Sequence, residues 1–303
     1  MGVSHDAVLG TPDLEVKTPA SENSKVLSAG LKSDRKEVNE KQSYSAPVFS
    51  QISVPDYNNF KVKSEAAIAV NVEEKTVLYE KNIEKKLPVA SLTKLMTALV
   101  VLDEINLDSR VIVSKNAVAS EGDKGNLKAG EEITVRSLLY LLLVNSSNDA
   151  AVALAEHISD SEEKFVELMN AKTEELELKN THFANATGLD KKDNYSTAYD
   201  LAKLINYALE KPLLWEIMRV QSLNVFSVDG KEAHHLKNTN KLLGKLPGIN
   251  IIGGKTGFTN QAGECLILAV SRPENNKRII CVILGSEDRF GEMEKLVNWA
   301  YSH

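Results

Sequence analysis

This 303-residue chain has only two cysteines, Cys265 and Cys281, and neither lies in a C-x-x-C pattern. That excludes the usual cysteine zinc site and the thioredoxin-type redox motif. No run of Lys and Arg interleaved with aromatics is present, and the formal net charge is -6. Nucleic acid is therefore not an expected partner. Long apolar runs are missing too. The longest is Leu138 to Val144, against the roughly 20 residues of a spanning helix. The opening M-G-V-S-H-D has neither the basic start nor the apolar stretch of a secretory signal. Of six histidines, only His234 and His235 are adjacent. Neighbours on a strand point to opposite faces, so a shared metal is not expected.

What is present divides the chain in two. Residues 1 to 60 are polar and aperiodic, with Pro12, Pro19, Pro47 and Pro55. No apolar period there could bury a face, so this stretch reads as a flexible leader. Residues 61 to 303 read as one domain. A-A-I-A-V-N-V (66–72) and T-V-L-Y-E (76–80) form a predicted hairpin. A helix is predicted to start at Ser91 after Pro88, and the region from about 105 to 215 reads as mainly helical. Ser159 with Glu162, and Thr197 with Asp200, fit the helix-capping pattern. I-L-A-V-S (267–271) and R-I-I-C-V-I-L (278–284) are predicted strands, and 291–300 a closing helix. A hairpin turning near Pro273 to Asn276 sets Cys265 opposite Leu284 and Cys281 opposite Leu268, so the cysteines are not partners. Early strands pairing with late ones give an α/β (α+β) fold: one antiparallel sheet flanked by helices, with a mainly helical lobe inserted.

Three short motifs carry chemistry. The first is S-L-T-K at 91–94. Residues at i and i+3 share a helix face, so the Lys94 amine can sit over the Ser91 hydroxyl. A neutral lysine can take the proton of a serine nucleophile, and burial or a nearby cation makes lysine neutral. The helix N-terminus adds N–H groups for a developing oxyanion. Alone, this pattern is weak evidence and is more often a capping serine with a surface lysine. The second is S-S-N at 146–148, between two apolar stretches. Ser146 could relay a proton and Asn148 could bind a substrate carbonyl, although a plain interhelix turn accounts for the same residues. The third is K-T-G at 255–257. Gly257 lets a substrate approach a strand edge, and Lys255 and Thr256 offer cationic and hydroxyl contacts to a carboxylate. A phosphate-binding P-loop is excluded because Ile249 stands where its first glycine belongs.

Taken in order, the three motifs resemble the signature of penicillin-binding proteins and serine β-lactamases. From about Ala66 to Ala300 the chain is similar to the D-alanyl-D-alanine carboxypeptidases of the low-molecular-mass penicillin-binding group. L-P-V-A-S-L-T-K-L-M-T-A-L, N-S-S-N-D-A-A-V-A-L-A, T-H-F-A-N-A-T-G-L, N-T-N-K-L-L and G-G-K-T-G-F-T all fit.

The resemblance implies a DD-peptidase and β-lactamase-like fold, and a two-step hydrolysis through an acyl-enzyme. Ser91 is then the nucleophile and Lys94 the base. Ser146 and Asn148 complete the proton relay and the substrate cradle. Lys255, Thr256 and Gly257 bind substrate, and the Ser91 and Phe258 N–H groups form the oxyanion hole. Arg289 resembles a family arginine that meets the terminal carboxylate; a surface charge is the competing reading. The implied substrates are peptidoglycan stem peptides ending in D-Ala-D-Ala, with β-lactams as covalent inhibitors and no metal or organic cofactor. The location implied is extracytoplasmic, with the export signal absent from this chain.

Two positions depart from the family pattern: Ser147 where glycine is common, and Asn194 where histidine is frequent. Glu167 and Asn170 superficially match the deacylating glutamate region of class A β-lactamases, but their amphipathic context reads as helix surface. Two rival readings remain, a serine β-lactamase and a non-catalytic β-lactam or peptidoglycan sensor.

Overall fold

A computed structural model of the chain describes residues 47–51, 60–274 and 277–303. The first elements are strands β1 (Ser50–Gln51), β2 (Ala66–Asn71) and β3 (Thr76–Lys81), then helix α1 (Thr93–Glu104). The inserted lobe runs through β4 (Arg110–Ile112), α2 (Lys115–Ala119), β5 (Glu132–Thr134), α3 (Val135–Val144), α4 (Asn148–Ser159) and α5 (Glu162–Glu175). After it come α6 (Ala198–Ala208), α7 (Pro212–Met218), β6 (Ser222–Phe226) and β7 (Ala233–Lys237). The chain closes with β8 (Asn250–Thr259), β9 (Gly263–Ser271), β10 (Arg278–Ser286) and α8 (Arg289–Ser302).

The main sheet has the strand order β1-β3-β2-β10-β9-β8. The predicted early hairpin pairs β2 with β3 antiparallel, and β2 joins β10 with Ala67 opposite Ile283 and Ala69 opposite Cys281. Each strand's side chains alternate between two cores. Ala66, Ile68, Val70, Ile267, Ala269, Ile280 and Val282 face the core shared with α1 and α6. Ala67, Ala69, Leu266, Leu268, Ile279 and Ile283 face α8 through Met293, Leu296 and Val297. With both faces covered, the strands read as unbroken apolar runs rather than alternating ones.

Both cysteines are free and buried. Cys281 lies opposite Leu268, as expected, whereas Cys265 falls at a bulge between Ile283 and Ser286 instead of facing Leu284. The two face different cores. Burial pushes the Cys265 thiol up to about 11 and Cys281 higher still, so both stay protonated.

Three local expectations change. Ser91 does not start α1. It sits in a 3-10 turn, Ala90–Leu92, closed by Leu92 N–H to the Val89 carbonyl at 3.1 Å. Ala90 has φ 49 there, which leaves Ser91 half-buried between buried neighbours. Ser159 does not cap a helix. It ends α4, Asp160 turns left-handed at φ 63, and Ser161 becomes the extended residue whose hydroxyl accepts from Lys164 N–H. Thr197 does cap α6, accepting from Asp200 N–H. The stretch from 105 to 215 is mainly helical but also holds the antiparallel β4–β5 pair.

Of the expected leader, residues 1–46 and 52–59 lie outside the described residues. Ser50 and Gln51 pair parallel with β3, and Phe49 is buried with its ring 5.9 Å from Tyr199. Phe49 N–H donates to the Tyr199 hydroxyl and Ser50 N–H to the Lys75 carbonyl, and with the buried Phe49 ring these contacts seat the short stretch on the sheet edge.

Candidate active site

Three chain segments meet at one cleft: the Ser91 turn, the turn between α3 and α4, and the edge strand β8. Lys94 lies in the first turn of α1 and is fully buried. Its Nζ lies 2.8 Å from Ser91 Oγ, 2.6 Å from Asn148 Oδ1 and 2.6 Å from the Thr187 carbonyl. Burial holds Lys94 well below the ordinary lysine value of 10.5, and the charge of Lys255 pushes the same way; Asp123 and Asp149 oppose them. All three hydrogen-bond partners are uncharged. A neutral amine has two N–H groups and one lone pair. The N–H groups suit Asn148 and Thr187, which leaves the lone pair for the Ser91 hydroxyl proton.

The second turn is strained in a useful way. Ser146 has φ 62, a left-handed conformation costing about 1–3 kcal/mol for a non-glycine residue. It points the hydroxyl at Lys255 Nζ, 2.8 Å away. Asn148 opens α4, with its backbone N–H on the Asp123 carbonyl at 2.7 Å and its Nδ2 on the Glu121 carbonyl at 2.6 Å. Asp149 locks the turn. Its buried carboxylate accepts from Gly125 N–H at 2.8 Å, Leu127 N–H at 3.1 Å, Ala150 N–H at 2.9 Å and the Ser147 hydroxyl. Ser147 thus supplies a hydroxyl to Asp149, which a glycine at that position could not do.

β8 forms the third wall. It is the last strand of the sheet, so alternate backbone groups are left unpaired on its outer edge. Lys255 Nζ also donates to the Thr256 carbonyl at 2.9 Å. Burial lowers Lys255 to about 7; Asp123 resists this and Arg289 adds to it. Gly257 is the point of closest approach. A β-carbon there would lie 2.9 Å from the Val89 carbonyl oxygen and 3.1 Å from Ser91 N. Phe258 follows, 59% exposed at the rim. Arg289 opens α8 and donates from Nη1 to the Gly257 carbonyl at 2.6 Å, while its backbone N–H donates to Glu264. It ties the start of α8 to β8, with its side chain largely covered.

All nine residues selected from the sequence therefore gather in one place: Ser91, Lys94, Ser146, Asn148, Lys255, Thr256, Gly257, Phe258 and Arg289. Others were not selected. Asp149 directly follows the second motif, and Thr239 holds its Oγ1 2.6 Å from that of Thr256. The Thr187 carbonyl lies in T-H-F-A-N-A-T-G-L, but a backbone acceptor has no residue-type signal. In the same segment Gly188 has φ +87, and a β-carbon there would lie 2.0 Å from the Ala90 carbonyl oxygen. Asn194 is buried and donates to Asn185 Oδ1 and the Leu189 carbonyl, stiffening this segment.

The residues set aside lie elsewhere. His234 is buried between the Gly125 carbonyl and Glu131, while His235 is exposed and bonded to Asn224, as opposite faces require. Glu167 is exposed. Asn170 does more than cover a helix surface: its side chain bonds both the N–H and the carbonyl of Phe183 at 2.9 Å. Among the described residues, no group of three or more His, Cys, Asp or Glu is placed to hold a metal ion.

Residues 51–288 match the family described as D-alanyl-D-alanine carboxypeptidase. The chain belongs to that family. It is 37% identical over 256 residues to D-alanyl-D-alanine carboxypeptidase DacF of Bacillus subtilis, covering 78% of this chain and 62% of that relative. To D-alanyl-D-alanine endopeptidase of Escherichia coli it is 32% identical, covering 79% of this chain and 77% of the relative. The Streptomyces K15 DD-transpeptidase structure superposes with a TM-score of 0.74 at 31% identity, covering 80% of this chain and 98% of that one. The antiparallel sheet with its inserted helical lobe is thus a D-alanyl-D-alanine peptidase fold. The chain spans 62% of the length of DacF, and the same share of DacC of Escherichia coli.

Proposed function

We propose that this protein is a serine D,D-carboxypeptidase that removes the terminal D-alanine from peptidoglycan stem peptides through an acyl-enzyme on Ser91. The observation that supports this best is the buried Lys94 amine, 2.8 Å from Ser91 Oγ and surrounded by uncharged acceptors. A lysine held below its ordinary range can serve as a base for a serine hydroxyl.

In this reading, Lys94 takes the Ser91 proton as Oγ attacks the carbonyl of the penultimate D-Ala. The Ser91 and Phe258 N–H groups stabilise the oxyanion. Ser146 passes its hydroxyl proton to the leaving amine and takes one back from the Lys255 ammonium bonded to it. Asn148 cradles the peptide, while Lys255 and Thr256 meet the terminal carboxylate. Arg289 acts on this subsite through the Gly257 carbonyl. Water then releases the shortened peptide. β-Lactams acylate Ser91 as substrate mimics. Residues 61–303 form the catalytic domain, with residues 47–51 seated on the edge of its sheet and the residues ahead of them a leader or linker. The substrate places the enzyme outside the cytoplasm, acting in cell-wall synthesis and remodelling. No helix among the described residues is long and apolar enough to cross a membrane.

The test is D-alanine release from a muramyl pentapeptide ending in D-Ala-D-Ala, with Ser91→Ala alongside. Release by the parent alone establishes the activity and the nucleophile. A folded parent that releases nothing yet is labelled by penicillin overturns the carboxypeptidase reading in favour of a sensor or of an enzyme with another peptide substrate.

A further inference from the structure

Thr239 lies between β7 and β8, in a segment fixed by its neighbour. Asn238 donates from Nδ2 to the Met218 and Val220 carbonyls at 2.9 and 2.7 Å, and its Oδ1 accepts from Asn240 N–H at 2.8 Å. Thr239 touches both walls of the cleft from this rigid base. Its backbone N–H donates to the carbonyl of Val144, at the end of α3 just ahead of Ser146, at 3.3 Å. Its hydroxyl oxygen lies 2.6 Å from that of the buried Thr256.

Two hydroxyls in contact hold two protons, and one lies between the oxygens. The pair therefore presents one free O–H, from either residue. A carboxylate arriving at Thr256 selects a single arrangement: Thr239 donates to Thr256, and Thr256 donates to the anion. Each bond polarises the next, and a charged acceptor gains more from the chain than a neutral one.

We infer that Thr239 is a specificity-determining residue: acting through Thr256, it favours substrates whose leaving residue carries a free carboxylate over the same peptide with that carboxylate blocked. This rests on the peptidase reading proposed above. Thr239 is a positioning residue in this role, since Thr256 makes the contact.

The test compares the full chain with Thr239→Val and Thr239→Ser on two peptides, one ending in D-Ala-D-Ala and one with the terminal carboxyl amidated. Valine keeps the shape and removes the donor; serine keeps the donor. Thr239→Val is expected to raise KM for the free acid about tenfold with kcat largely kept, as for a weakened hydrogen bond to a charged group. Its cleavage of the amide stays at the parent level, and Thr239→Ser stays close to the parent on both peptides. An unchanged KM for the acid overturns the inference, and so does an equal loss on both peptides, which marks a merely structural role. If the amide is too slow to follow, the split between KM and kcat on the acid decides alone. A parent that cleaves neither peptide, indistinguishable from Ser91→Ala, overturns the peptidase reading itself and the inference with it.

Discussion

The charge of Lys255 acts on Lys94 and helps to drive off its proton. Each lysine is buried, and each meets a serine hydroxyl at 2.8 Å. The cleft thus holds two cations' worth of side chain in a place that favours neither charge. Their mutual repulsion makes the pair sensitive to pH and to substitution.

Acylation by a fluorescent penicillin should rise with pH as Lys94 loses its proton, well below pH 10.5. Without the charge of Lys255, Lys94 holds its proton more firmly. Lys255→Ala is therefore expected to move the acidic limb of the acylation profile to higher pH, in addition to lowering the rate. Stopped-flow acylation from pH 5 to 10 measures both, and a limb that stays in place means that the two lysines are not coupled.

Substitution of Lys255 should move stability and activity in opposite senses. Lys255 falls from 10.5 to about 7 on folding, so between those values the unfolded chain binds more protons and stability rises with pH. Below pH 7 the full burden of a buried ammonium is present. Lys255→Met removes it, and the variant is expected to melt a few degrees above the parent at pH 6. By pH 10 the advantage should be largely gone. Thermal scans at the two pH values, beside an activity assay showing loss, test the trade.

Gly257→Ala separates geometry from chemistry. Its β-carbon would press on the Val89 carbonyl oxygen and Ser91 N, forcing β8 away from the nucleophile turn. A displacement of about 1 Å costs on the order of a hundredfold in rate, so a comparable fall in Ser91 acylation is expected while the folded state persists. Acylation at the parent rate, measured by intact mass, would show that the strand has room to spare.

The sequence displayed the parts that depend on residue type. Ser91, Lys94, Ser146, Asn148 and Lys255 were legible because their three short motifs, taken in order, resemble a family signature, and the structure brings them to one cleft. The β2–β3 hairpin and the β9–β10 pair were legible from β-branched runs separated by turns. The helix start was misread because Pro88 announces a helix but cannot show the left-handed turn at Ala90 that delays it. Ser159 satisfies the capping pattern and Ser161, with Lys164 three residues on, does not; the αL residue Asp160 between them hands the cap to Ser161. The Arg289 contact was hidden for another reason: its partner is a backbone carbonyl, which any residue supplies. Thr239 and Thr256 are far apart in sequence, and a hydroxyl pair leaves no pattern.

The centre of the sheet is the seam between β2 and β10, strands from opposite ends of the described domain. A chain still being synthesised or threaded through a narrow channel has the β2–β3 hairpin in hand but not β10, which β2 needs on its other edge. Lys255 on β8, and Arg289 beyond β10, also arrive late. No partial product can hold the cleft, so the site is assembled only once nearly the whole domain has emerged. The same long-range pairing makes folding slow compared with a helical bundle of this size, and makes any truncation ahead of β10 a loss of the entire domain.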